Sequence, residues 1–230
     1  MRKSLLLLWD VDGTLMSSGK AGVAAFNRAV EKLYGVKVST EAIDFRGRTD
    51  FRNAYNMLKY LGMEESPERA RELIEAYLEE LPQELLQRSG AAYPGILEIL
   101  EKADQSKHVL SGLLTGNFSR GAELKLSCCG LWNFFKFGAF GEDSTERNEL
   151  GPIAVQRAKE IHGVEFESDE IFVIGDTPHD IECGKTIGAR TIAVATGGYS
   201  FEELFRHQPT AVFENLGDTE KFWEVCNNSK

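Results

Sequence analysis

Leu5 to Val11 form a short apolar run, broken only by Asp10, that stops at Asp12-Gly13. A strand with one wet face alternates polar and apolar residues. A short unbroken run bounded by a turn is instead the pattern of a strand buried on both faces, as in a parallel sheet covered by helices. The run is too short for a membrane span, which needs about 18 apolar residues. Met1-Arg2-Lys3-Ser4 imitates the start of an export signal, but Asp10 and Asp12 end the apolar stretch too early. The expectation is a cytoplasmic protein.

Similar runs recur at Val109 to Leu114, Ile171 to Ile174, Thr191 to Ala195 and Ala211 to Phe213, with another strand expected within Phe135 to Phe140. Between them, Pro94 to Ala103, Ser119 to Leu131, Pro152 to His162 and Pro178 to Ile187 read as helices, several opened by proline. This alternation predicts an α/β fold, a doubly wound, mostly parallel Rossmann-like sheet. Residues 16–88 break it. Val23, Phe26, Val30 and Leu33 share a helical face, and Ser66-Pro67-Glu68 opens a second helix whose stripe is Leu73, Ile74, Tyr77, Leu78 and Leu81. Pro82 is expected to kink or end that helix. The chain is therefore divided into an α/β core of residues 1–15 and 89–230 and an inserted all-helical domain of residues 16–88.

With 42% hydrophobic and 27% charged residues in 230, the chain has an ordinary globular composition and needs no staple. The 26 lysines and arginines against 36 aspartates and glutamates give a charge of −10, which disfavours nucleic acid and anionic membrane as partners. Cys128, Cys129, Cys183 and Cys226 form no CxxC pair or structural-zinc spacing, consistent with a reducing compartment. Cys128 and Cys129 are expected on a helix, one buried and one not. Oligomeric state is left open.

Four segments fall at or just after strand ends: Asp10-Val11-Asp12-Gly13-Thr14, Thr115-Gly116-Asn117, Arg147 before a helix, and Gly175-Asp176-Thr177-Pro178-His179-Asp180. Ligands of doubly wound sheets bind at that edge. Carboxylates converging there would repel by up to about 4 kcal/mol per close pair, which a divalent cation relieves. Oxygen-only donors favour Mg²⁺, expected on Asp10 and Asp176. Asp180 either reaches back as an outer-shell ligand or serves the helix dipole. Asp10 and Asp12 share one strand face, and the turn at Gly13 can fan them apart. One carboxylate can then attack phosphorus while the other handles the leaving-group proton. Thr115 and Asn117 can donate to phosphoryl oxygens and Arg147 can neutralise them.

These segments, in this order, resemble the haloacid dehalogenase superfamily across essentially the whole chain. The resemblance implies a nucleophile at Asp10, an acid/base at Asp12, phosphate contacts from Thr115 and Asn117, and Mg²⁺ on Asp10 and Asp176 with the Asp12 backbone carbonyl completing the protein ligands. It also implies that residues 16–88 are the helical cap of the phosphoglycolate phosphatase-like group, closing over small phosphorylated metabolites. The family usually places a lysine at its third motif; the corresponding position here is Arg147, with Arg120 and Lys125 as alternatives. Asp12 argues against carbon–halogen chemistry. The absence of lysine from Phe45-Arg46-Gly47-Arg48-Thr49-Asp50 argues against the phosphonatase branch. Arg46 and Arg48 are candidates for a substrate carboxylate or second phosphate, against the alternative of ordinary exposed arginines. His179 reads as a solvated first-turn residue. The expected activity is a Mg²⁺-dependent phosphatase for a phosphoglycolate-like or sugar phosphate. The alternatives are a hexose-phosphate mutase and, more remotely, a receiver-like phospho-accepting domain, which Asp12 and the chain's size disfavour.

Overall fold

The computed structural model describes residues 4–38, 43, 45–163 and 165–228. The leader-like Met1 to Lys3 and residues 39–42 and 44 of the expected insert lie outside the described residues. Strand β1 (Leu5–Trp9) leads to β2 (Met16–Ser17), which pairs antiparallel with β3 (Ala91–Ala92). Between β2 and β3 lie α1 (Ala21–Tyr34), α2 (Asp50–Tyr60) and α3 (Pro67–Arg88). Helix and strand then alternate: α4 (Ile96–Asp104), β4 (Val109–Leu114), α5 (Ser119–Cys128), β5 (Gly138–Ala139), α6 (Arg147–His162), β6 (Ile171–Gly175) and α7 (Pro178–Thr186). The last elements are β7 (Arg190–Val194), α8 (Phe201–Phe205), β8 (Ala211–Phe213) and α9 (Thr219–Asn227).

Six strands form one parallel sheet in the order β5-β4-β1-β6-β7-β8. The unbroken apolar run of β1 follows from this central position. Leu6 and Leu8 pack with Ala154 of α6 and Cys183 of α7 on one face. Leu5, Leu7 and Trp9 pack with Ile99 of α4 and Phe222 of α9 on the other, where Trp9 stacks on Phe222 at 5.7 Å. Each fully buried leucine contributes roughly 1.5–3 kcal/mol relative to exposure. The chain leaves β1 toward opposite sides of the sheet, so the strand order reverses there, the position where such sheets open a ligand crevice. Trp9 stands opposite Leu113 and Ile174, and the residues just beyond, Asp10, Thr115 and Asp176, emerge at one edge.

The three helices between β2 and β3 bury a hydrophobic cluster of their own, including Ala25, Ala29, Val30, Ala54, Met57, Leu73 and Leu81. Phe26 of α1 stacks on Tyr77 of α3 at 4.2 Å. Glu84, almost fully buried, is shared by Arg28 of α1 and Arg88 of α3.

Three expectations need correction. Helix α3 does not end at Pro82 but continues to Arg88; packing along α1 sustains it despite the backbone bond that proline cannot make. Helix α6 begins at Arg147, with Pro152 inside it rather than opening it. Cys128 ends α5 exposed and Cys129 lies just beyond it, partly buried, so neither is enclosed. Among the described residues no helix is long and apolar enough to cross a membrane.

Candidate active site

Beyond β1, Asp10 is only 6% exposed. Arg147, at the first position of α6, reaches into the same edge, where its Nη2 donates to Asp10 Oδ1 at 2.9 Å, to the Leu114 carbonyl at 3.2 Å and to Asp180 Oδ1. Asp10, Asp176 and Asp180 each offer a carboxylate oxygen within 4.8 Å of the others, and all three are buried. Two glycines make this packing feasible. A Cβ at Gly197 would lie 1.7 Å from Asp176 Oδ2, and one at Gly13, whose φ is +86°, would lie 2.4 Å from it. Asp180 accepts from the Thr177 N–H at 3.0 Å and hydroxyl at 2.7 Å as part of the α7 capping box, and its carboxylate also stands in the acidic cluster.

Burial raises the Asp10 carboxyl to about 6, with the Arg147 guanidinium opposing and Asp180 adding to the rise. Burial, then the charges of Asp10 and Asp180, push Asp176 well above the usual carboxylate range. A buried, oxygen-only set in which Asp10 and Asp176 resist ionisation fits a hard divalent cation. The residues present therefore suit Mg²⁺.

Asp12 occupies a different environment. Burial alone would raise it, but the Lys125 ammonium at 2.5 Å overrides this, with further hydrogen bonds from Asn117 Nδ2 at 3.0 Å and Ser18 Oγ at 3.1 Å, and holds the carboxyl below its ordinary value. Asn117 also donates to Thr115 Oγ1 at 2.8 Å. Thr115, Asn117 and Asp12 are thus linked across the ends of β4 and β1. Lys125 belongs to this centre, whereas the sequence reading held it only as an alternative to Arg147. The signal was present: Ala122, Lys125 and Leu126 share the buried face of α5, and a lysine on an apolar stripe needs an internal partner.

The α1–α3 layer closes over this edge. The Asp50 N–H donates to the Gly116 carbonyl at 2.7 Å, and Asp50 Oδ2 accepts from the Phe118 N–H at 2.8 Å. Thr49 Oγ1 donates to the Thr145 carbonyl at 2.8 Å. Gly116 has no room for a side chain, since a Cβ there would lie 2.1 Å from the Arg48 carbonyl oxygen. A cavity of about 240 Å³ remains, walled by Asp10, Asp12, Asn117 and Lys125 below and by Phe26, Phe45 and Tyr77 above. Arg46 and Arg48 both line it. Arg46 donates to the Gly198 carbonyl at 2.9 Å and lies over the Tyr199 ring, whereas the buried Nε of Arg48 has no hydrogen-bond partner among the described residues. His179, half-buried, lines a neighbouring smaller cavity with Arg48 and Arg147, and burial lowers its pKa.

Relatives match this chain over nearly their whole length. The pyrophosphatase PpaX of Bacillus pumilus is 26% identical over 213 residues, spanning 92% of this chain and 93% of its own. The phosphoglycolate phosphatase of Vibrio parahaemolyticus is 26% identical over 221 residues, spanning 93% of each. A hydrolase of solved structure from Pseudomonas syringae has the same fold, with a TM-score of 0.77 at 24% identity over 98% of this chain and 100% of its own. The family model described as haloacid dehalogenase-like hydrolase matches residues 7–194, from within β1 to the last residue of β7 and through all four segments at the sheet edge. This chain belongs to the haloacid dehalogenase-like hydrolases.

Proposed function

We propose that the protein is a Mg²⁺-dependent phosphatase for small phosphomonoesters, with Asp10 as nucleophile and Asp12 as acid/base. The observation that carries this reading is the opposite treatment of two carboxylates on one cavity: Asp10 stands in a buried acidic cluster, while Asp12 is paired with a buried cation. Environments that separate the proton affinities of neighbouring acids mark acid/base and nucleophile roles. The names of the two curated relatives also support phosphate ester or anhydride hydrolysis.

Asp10, Asp176 and Asp180, with the Asp12 backbone carbonyl, would hold Mg²⁺, which when bound supplies charge neutralisation for the carboxylates and the phosphoryl oxygens. An Asp10 oxygen attacks phosphorus and the bond to the leaving oxygen breaks, with Thr115, Asn117 and Arg147 as the donors that would turn to the phosphoryl oxygens once phosphate is bound. The arriving phosphate opposes the pull of Lys125 on Asp12 and raises its proton affinity, so Asp12 enters the complex protonated and passes that proton to the leaving oxygen. Asp12 then takes a proton from water, water attacks phosphorus, and the Asp10–phosphorus bond breaks to release phosphate. The helices of residues 16–88 act as the cap that excludes bulk water. The cavity of about 240 Å³ suits a small metabolite, and Arg48, whose Nε is unpartnered among the described residues, is the residue to meet a second anionic group such as a carboxylate or another phosphate.

Phosphate release from a panel of small phosphomonoesters, with Mg²⁺ and with chelator, tests this reading. Metal-dependent release in wild type and a loss of at least about 10³-fold in Asp10→Asn are expected. An Asp10→Asn variant with near wild-type turnover would refute the nucleophile. Isomerised sugar phosphate without free phosphate would assign the same residues to a mutase.

A further inference from the structure

A buried ammonium is costly unless each of its protons finds a partner, and Lys125 is only 4% exposed. Its Nζ donates to Asp12 Oδ2 and to Asn117 Oδ1, each at 2.5 Å. Two further groups that face it come from the helical layer: the Tyr77 hydroxyl of α3 and the Asp50 carboxylate at the start of α2. Glycines leave the space these groups occupy. A Cβ at Gly22, in the first turn of α1, would lie 3.5 Å from Lys125 Nζ and 3.8 Å from the Tyr77 hydroxyl. One at Gly121 of α5 would lie 3.8 Å from that hydroxyl and 4.0 Å from Asp50 Oδ2. The two buried cations thus divide the site: Arg147 serves Asp10 and Asp180, and Lys125 serves Asp12.

We propose that Lys125 is a positioning residue that acts through Asp12. It fixes the Asp12 carboxylate and the Asn117 amide in one arrangement for proton transfer, and through Tyr77 and Asp50 it makes that arrangement depend on the helical layer being seated. The inference rests on Asp12 being the acid/base of the proposed reaction. Asn117 is pinned from two sides, by Lys125 at its oxygen and by Asp12 and Thr115 at its nitrogen, so loss of the ammonium frees both the acid and the amide. Unseating α3 withdraws Tyr77 and leaves the ammonium one partner short.

The test is a kinetic cycle on alkyl and nitrophenyl phosphates with wild type, Asp12→Asn, Lys125→Met, Lys125→Arg and the Asp12→Asn/Lys125→Met double variant. A positioning role predicts that Lys125→Met lowers kcat by about 30-fold or more on alkyl esters, where leaving-group protonation matters most, and far less on nitrophenyl phosphate, with KM within about three-fold. The double variant should lose far less relative to Asp12→Asn than Lys125→Met loses relative to wild type, because only the hold of Lys125 on Asn117 is then left to remove. Lys125→Arg should recover part of the loss. Tyr77→Phe, which keeps the ring stacked on Phe26, should show a smaller kcat loss of about three-fold with the same leaving-group preference, and it carries the test if Lys125→Met does not fold. Additive losses in the cycle, or an equal loss on both classes of ester, would overturn the proposal and give Lys125 to the phosphoryl group itself. If Asp12→Asn shows no leaving-group preference, the acid/base reading falls and the inference with it, an outcome distinguishable because it needs no Lys125 variant.

Discussion

Asp10 and Asp12 stand two residues apart, yet one is pushed up by burial among acids and the other is pulled down by an ammonium. Metal binding should be visible in stability as well as turnover. Saturating Mg²⁺ is expected to stabilise the wild type by RT ln(1 + [L]/Kd), about 2.7 kcal/mol at one hundred times Kd, and Asp176→Asn should lose at least half of the resulting Tm shift. An unchanged shift would place the ion elsewhere. Arg147 gives a second check, because removing it leaves buried carboxylates without their cation. Arg147→Met should cost about 3–5 kcal/mol in chelator and recover much of that in Mg²⁺, measured by denaturant titration. The carboxylates were legible in the sequence because acids at strand ends have few structural reasons to be there. Lys125 was harder to place because its helix delivers it from beyond Asn117, and only the folded geometry shows which acid it meets.

The central strands β1 and β6 were legible because burial on both faces writes itself as nearly uninterrupted apolar residues. The two-residue β2 and β3 carry no such pattern, and the prolines misled in α3 and α6 because tertiary packing outweighs a single missing hydrogen bond. The docking contacts of α2 were also hidden, since Asp50 reads locally as an ordinary first-turn acid and not as a partner for a helix sixty-eight residues away. Burial, relieved in part by Lys125, raises Asp50 to about 6. Its folded-state proton affinity exceeds the unfolded one, so its contribution to stability is present below about pH 4 and is lost as pH rises through about 6. The stability of Asp50→Asn relative to wild type should therefore improve by on the order of 1–3 kcal/mol from pH 4 to pH 7 in urea titrations. A pH-independent difference would show that Asp50 titrates normally.

At the scale of the whole molecule, a sheet edge and a helical layer meet with almost no slack. Gly116→Ala places a methyl group against the Arg48 backbone without touching the interior of the sheet. It should lower kcat/KM at least about ten-fold and expose the residue 45–49 loop to limited proteolysis, with Tm changed by only a few degrees. Protection equal to wild type would show that the loop can shift at no cost. The run of helices between β2 and β3 could be read from where strand patterns cease, whereas the way these helices meet the sheet edge could not, because it depends on backbone atoms rather than on any residue type.

Helix α5 starts without a cap of its own: no side-chain hydrogen bond comes from Phe118, and the Phe118 N–H is satisfied by Asp50 from the layer above. One amide of the core is thereby a native gauge of closure. Its deuterium exchange should be slow while α2 is seated and should quicken whenever the layer lifts, so a single backbone resonance can count openings during turnover without any label being attached.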